Sequence, residues 1–457
     1  MAGIGFTLRR MLHTEGLGGP MRAFGYAAVV SSGPWISSSV ALAVLGYLSI
    51  FSSATADNRI FLALVSYAFA FSLIGVGVCQ MVASRYLADR LYLGDTSALA
   101  PAYAQLLVPL LLVQVVVAGV FLHFVPLPPF AAIAATTLYA LLNGTWLVMI
   151  FLSAAHDFRS ITLAFAFGLA VSVVAGLFGE TVGGLAGKLA GFTLGYLVTY
   201  LWLLSRLDRE FGMPTEASPH LWAYFRDYWQ LALTGFAYNL GIWIDKILFW
   251  YQPGPGETVS GLLRAAPVYD NAMFLAYLGI VPALALFLLK VETDFYDQYR
   301  GYFSAIADRD SLQGILAVKA RIGDVLRQSL GLLLKVQGLL TLGLVIFTPE
   351  LSEWLQVSWL SVFVFRAGVL GSFFHVLHLI TLILLQYFDF RKEACLVALT
   401  FLVTNGLFTW LSFSGGLPAY GFGYAASSAV TLLIGLWLLD RSLNDLEFHI
   451  FMKQPLS

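Results

Sequence analysis

Twelve apolar stretches, each close to twenty residues long, dominate the chain: 23–51, 60–82, 101–123, 128–152, 161–178, 183–204, 229–250, 267–289, 331–347, 360–386, 393–413 and 418–439. A bilayer core of ~30 Å takes roughly 20 helical residues to cross. The expected fold is therefore an all-α integral membrane protein of about twelve transmembrane helices. Composition supports this solvent. Only 11% of residues are charged, where a soluble domain carries about 25%, so a water-facing enzyme surface cannot be covered. Lys+Arg 25 against Asp+Glu 26 leaves no basic excess, which excludes a nucleic-acid binder. Cys79 and Cys395 stand alone in apolar surroundings, so neither a disulfide framework nor a cysteine metal site is expected; no cofactor is expected either. The first apolar run starts near Ala23 and is too long for a cleaved signal.

An even number of spans puts both termini on one side, and the positive-inside rule says which. Nineteen of the 25 Lys and Arg residues fall before span 1, after span 12 or in the connections after spans 2, 4, 6, 8 and 10. The opposite loops hold only Arg59 and Arg264. The expected topology is N-in/C-in. Residues 1–22 carry Ile4, Leu8, Met11 and Leu12 opposite Arg9 and Arg10, the pattern of a short interfacial helix. Residues 23–204 then form a first six-helix bundle, 205–228 a cytoplasmic linker with Pro214 and Pro219, 229–439 a second six-helix bundle, and 440–457 a cytoplasmic tail. Two such bundles flanking a central path are a transporter layout. The long connection 290–330 reads as an amphipathic cytoplasmic elbow. Its stripe of Phe295, Tyr299 and Tyr302 is a candidate docking face for a cytoplasmic protein.

A charge at the centre of a span costs about 2.5–3.5 kcal/mol, so the few present face a cavity or a partner. Span 7 holds Asp245 and Lys246 in succession, with Asn239 on the same stripe as Lys246. Helical neighbours diverge by roughly 100°, so the two are not expected to neutralise each other side by side. Asp270 opens span 8, and Arg366 lies about two turns into span 10. All four are expected to meet in the outer half of the second bundle. They serve there either as a substrate path or coupling site, or as structural pairs Lys246–Asp270 and Asp245–Arg366. His375 and His378 share one face of span 10 near mid-membrane. A neutral hydrogen-bonded pair lining the path fits better than a metal site, with proton relay as the alternative. Gly33-Pro34 in span 1 marks a hinge or a fixed kink. Gly183, Gly187, Gly191 and Gly195 form a smooth groove for close helix packing.

Four strings add a resemblance: Met1-Ala-Gly-Ile-Gly-Phe, Ser31-Ser-Gly-Pro-Trp-Ile, Tyr238-Asn-Leu-Gly-Ile-Trp-Ile-Asp-Lys and Tyr387-Phe-Asp-Phe-Arg-Lys-Glu-Ala. In this order they resemble the PelG family, integral membrane components of Pel exopolysaccharide export, along the whole chain. That family is similar to polysaccharide flippases of the multidrug/oligosaccharidyl-lipid/polysaccharide superfamily. The resemblance implies the bacterial inner membrane and a galactosamine-type polysaccharide cargo for the biofilm matrix; no covalent chemistry is expected of the chain. It also implies membrane partners PelD and PelE and the cytoplasmic glycosyltransferase PelF. The alternatives are a cation-coupled antiporter or lipid-linked oligosaccharide flippase, and a non-transporting scaffold of a polysaccharide synthase. No family motif fixes substrate residues.

Overall fold

The computed structural model describes residues 18–48, 55–212, 220–354 and 360–453, with the single positions 8, 10, 11, 218 and 358. Among these, ten helices are long and apolar enough to cross a membrane, against the twelve expected. The difference has two physical causes. One helix is a hairpin, and one membrane-length helix is too polar to qualify.

The first bundle contains α1 (Gly18–Leu48), α2 (Thr55–Tyr92), α3 (Leu99–His123), α4 (Pro129–Ala154) and α5 (Phe158–Phe211). At 1.5 Å per residue, the 54 residues of α5 would run about 80 Å if straight, well beyond a bilayer. The helix turns back at Gly183 and Gly184, whose dihedrals are non-helical; Gly184 sits at φ 55°, ψ −136°, open only to glycine. Its two legs then press backbone on backbone. A Cβ on Gly187 would lie 1.9 Å from the Gly179 carbonyl oxygen, and one on Gly191 would lie 2.0 Å from that of Ala175. The four-residue glycine groove thus receives the preceding leg of the same hairpin.

A short helix α6 (Leu221–Asp227) leads into the second bundle: α7 (Trp229–Tyr251), α8 (Pro267–Leu278), α9 (Val281–Lys290), α10 (Tyr296–Ala307), α11 (Leu312–Ile346), α12 (Thr348–Trp354), α13 (Leu360–Tyr387), α14 (Arg391–Ser412) and α15 (Phe422–Asn444), with α16 (Leu446–Lys453) behind it. The polar side chains of Asn239, Asp245 and Lys246 hold the 23-residue α7 below the apolarity of the other spans. Between α8 and α9 the helix breaks at Gly279–Ile280, in the middle of the apolar stretch. The Gly279 carbonyl accepts a hydrogen bond from Gln337 Nε2 of α11 at 2.9 Å, which satisfies a group that lipid could not.

Two seams join the bundles. Along the first, α2 packs against α7. Its outer end holds the Arg59–Glu257 ion pair and the stacked rings of Tyr67 and Trp250, 4.4 Å apart. Nearer the middle a Cβ on Gly235 would meet the Gly77 carbonyl oxygen at 2.1 Å, so the two backbones touch. Along the second seam the inner part of α1 (Ala23, Ala27) packs on Ala285 and Leu289 of α9. The outer part of α1 leans on its own bundle through Ser38–Tyr196 and Leu45–Gly176. A small antiparallel hairpin, β1 (Glu257–Ser260) and β2 (Leu263–Ala265), covers the outer end and bonds to Phe124 and Tyr67 of the first bundle.

Two expectations change here. At Gly33-Pro34 the helix α1 continues, with Pro34 inside it and the Ser37 and Ser38 hydroxyls bonded to the Gly33 and Pro34 carbonyls at 2.6 Å. The 1–22 segment is not simply interfacial: α1 already begins at Gly18, and Leu8 is buried against α1 and α9. Ile4 and Leu12 lie outside the described residues. The 290–330 elbow is helical as expected, through a π turn at Val291–Phe295 and then α10 and the start of α11. Its aromatic stripe faces inward, however. Phe295 and Tyr302 are buried, and Tyr299 donates to the Tyr387 carbonyl at 3.0 Å, so Phe295, Tyr299 and Tyr302 anchor the elbow to the bundle instead of offering a docking face. An amphipathic stripe marks which face is buried; it does not say against what.

Candidate functional site

The polar residues of the second bundle gather around α7. Asp245 is fully buried, and Lys246 nearly so. Contrary to expectation they pair with each other: Lys246 Nζ lies 3.1 Å from Asp245 Oδ2 and 3.2 Å from Oδ1. The reason is the flexible four-carbon lysine stem, which curls back far enough for Nζ also to donate to the Ile242 carbonyl at 3.0 Å. Tyr269 of α8 completes the carboxylate's partners, donating to Oδ2 at 2.7 Å. Around the ammonium stand the rings of Tyr277 at 4.8 Å and of Trp243 and Tyr424, each at 5.8 Å. Such faces attract a cation, more strongly where water is excluded.

Asp270 sits within electrostatic reach of this group but does not bond to Lys246. In the first turn of α8, its carboxylate accepts from Trp250 Nε1 at 2.9 Å and from the Ala266 backbone N–H at 3.1 Å. Arg366 is not part of the cluster. It is exposed, on the side of α13 away from His375. Both structural pairs considered from the sequence, Lys246–Asp270 and Asp245–Arg366, are replaced by Lys246–Asp245 and Trp250–Asp270.

His375 and His378 are buried side by side, with ring centroids 4.6 Å apart. Tyr238 Oη lies 3.1 Å from His375 Nε2, and Phe401 packs on both imidazoles. Tyr277 meets His375 edge-on at 5.9 Å. The histidines and the Lys246 group therefore form one continuous polar–aromatic column across α7, α8, α13 and α15. Asn239 stands apart at the α2–α7 seam, donating to Gly235 O at 2.8 Å beside Gly77. Among the described residues no group of three His, Cys, Asp or Glu is placed to hold a metal ion.

The partners sequence reasoning missed are aromatic: Tyr269, Tyr277, Tyr424 and Trp250. Trp250 and Tyr269 lie near span ends, where such residues are ordinarily interfacial, and nothing in the spacing of Tyr277 or Tyr424 marks an inward orientation. The first bundle also holds a buried ion pair. Lys188 Nζ lies 3.5 Å from Glu180 Oε1 and 2.8 Å from Asn58 Oδ1, tying the α5 hairpin to α2.

A family model described as PelG, "Putative exopolysaccharide Exporter (EPS-E)", matches residues 1–451. No curated protein sequence matches the chain. Solved structures share the fold. "Crystal structure of MATE in the bent conformation" aligns with a TM-score of 0.63 at 14% identity, covering 97% of this chain and 98% of that one. The outward-facing conformation of a multidrug resistance MATE family transporter of the MOP superfamily aligns at 0.58 and 15% identity, covering 98% and 99%. The inward-facing conformation of such a transporter aligns at 0.58 and 14%, with the same coverage. At these identities the likeness speaks for architecture alone.

Proposed function

The chain belongs to the PelG family, and from that premise we propose that it carries a Pel-type, galactosamine-based exopolysaccharide from cytoplasm to periplasm across the bacterial inner membrane. The observation that supports this reading most is the match of the exporter family along residues 1–451 of a chain with the multidrug-transporter fold. The polymer would pass between the bundles, held weakly at several polar points so that it can advance. PelD, PelE and PelF are the partners such export would use, and the matrix of a biofilm its destination.

The cation-coupled alternative would need a buried carboxylate that exchanges its partner for an ion; the candidates are Asp245, bonded to Lys246 and Tyr269, Asp270, bonded to Trp250, and Glu180, paired with Lys188. The scaffold alternative is separated by experiment. In a strain that makes the polymer, removing this chain is expected to stop secretion while polymer accumulates inside the cell. Loss of polymer altogether would instead identify a scaffold that synthesis requires.

A further inference from the structure

At the end where the basic loops gather, cytoplasmic by the positive-inside rule, both bundles converge on one aromatic ring. Tyr228 links α6 to α7. The guanidinium of Arg85, from α2 of the first bundle, lies 5.6 Å from its centroid; that of Arg391, from α14 of the second, lies 4.6 Å away. Asp389 pairs with both, at 3.9 Å to Arg85 and 3.2 Å to Arg391. Arg85 also pairs with Asp89, which accepts from the Tyr224 hydroxyl at 3.0 Å, and Tyr224 stacks on Tyr228.

We infer that Arg85, Tyr228, Asp389 and Arg391 form a latch that holds the cytoplasmic ends of the two bundles together. Three features mark it as a separable device. It joins elements that belong to different bundles, at the end of a seam whose middle is the bare Gly77–Gly235 contact. Its members are partly exposed, so its ion pairs can be opened by water and screened by salt. Asp389 is held in the left-handed region at φ 58° between α13 and α14, a conformation that aspartate tolerates, and from this turn its carboxylate reaches both arginines. Tyr299 of the elbow bonds to Tyr387, two residues before Asp389, so the elbow braces the turn that carries the latch.

The latch deepens the transport reading, since a polymer entering between the bundles from the cytoplasm must pass it. Its test needs no substrate, so it can fail while transport stands, and the reverse. Spin labels at Ala88→Cys on α2 and Lys392→Cys on α14, both exposed positions, are read by pulsed dipolar spectroscopy. The full chain is used in lipid nanodiscs, with Cys79→Ser and Cys395→Ala as background. The parent should give one short, narrow distance at 50 mM salt. Asp389→Asn keeps the left-handed turn but removes both ion pairs, and should add a longer, broader component. Tyr228→Leu should do the same, while Tyr228→Phe should not. Raising salt to 1 M should lengthen the distance in the parent itself. That arm decides alone if Asp389→Asn fails to give monodisperse protein. An unchanged distance in either the Asp389→Asn or the salt arm overturns the latch.

Discussion

Tyr269 of α8 donates its hydroxyl to Asp245 of α7 across 2.7 Å, and the oxygen that accepts it is the one nearest Lys246. The carboxylate thus has a counter-charge and a hydrogen-bonded orientation supplied by the protein itself. Removing one member of a buried ion pair leaves the other charge uncompensated, at about 3–5 kcal/mol. Asp245→Asn should therefore lower the thermal midpoint in detergent sharply. Tyr269→Phe should cost about 1.5–3 kcal/mol, the range for a hydrogen bond to a charged group. Replacing both charges, as Asp245→Asn with Lys246→Met, should cost less than the sum of the single changes. An additive result would show that the pair does not interact.

The Gly77–Gly235 contact predicts an unusual sensitivity to one methyl group. Gly235→Ala places a carbon where the opposing carbonyl oxygen already sits. Overpacking of this kind costs about 1–3 kcal/mol, and here it also pries the bundles apart. Secretion and thermal midpoint should both fall, whereas Gly119→Ala on α3, with open space around its Cβ position, should change neither.

Within the first bundle, Glu180→Gln should destabilise the tip of the α5 hairpin by removing an ion-pair partner from buried Lys188. Gly184→Ala should cost about 1–3 kcal/mol through backbone strain alone. Limited proteolysis at the outer face reads both: faster cleavage near residues 180–188 is expected, and cleavage indistinguishable from the parent would argue against the role.

Acid sensitivity has a defined source at the start of α5. Burial pushes the Asp157 carboxyl up, but bonds from Ser160 and the Arg206 guanidinium outweigh it and hold the group below its ordinary range. A depressed carboxylate contributes stability above its unfolded value of about 3.9 and loses it as pH falls through the lower folded value. Asp157→Ala should cost ~1 kcal/mol at neutral pH, as for a lost helix cap. Its midpoint should converge on that of the parent as pH falls below the unfolded value of about 3.9 and through the lower folded one. Thermal scans between pH 2.5 and 7 check the convergence.

The spans, the hairpin groove and the helical elbow could be read from residue spacing, because lipid makes length and apolarity the dominant constraints. The pairing inside the second bundle could not. Helical angle points Lys246 away from Asp245, yet the reach of its stem outweighs the 100° step and returns its charge to Asp245. Arg366 was open to a simple correction: nine residues separate it from His375, half a turn of phase on an α-helix, so the two cannot share a face. The outer β hairpin also had a signal, Gly254-Pro-Gly and Gly261 flanking short extended runs. What spacing never encodes is which aromatic rings turn inward, since Tyr277 and Tyr424 meet Lys246 only after three helices pack.

The break at Gly279–Ile280 divides loyalties within a single membrane crossing. Above it, α8 is bound to α7 through Tyr269 and Asp245; below it, α9 lies against α1 of the other bundle. The Gly279 carbonyl, freed by the break, is held by Gln337 of α11. One crossing is thus shared between the bundles, its outer half fastened to one and its inner half leaning on the other.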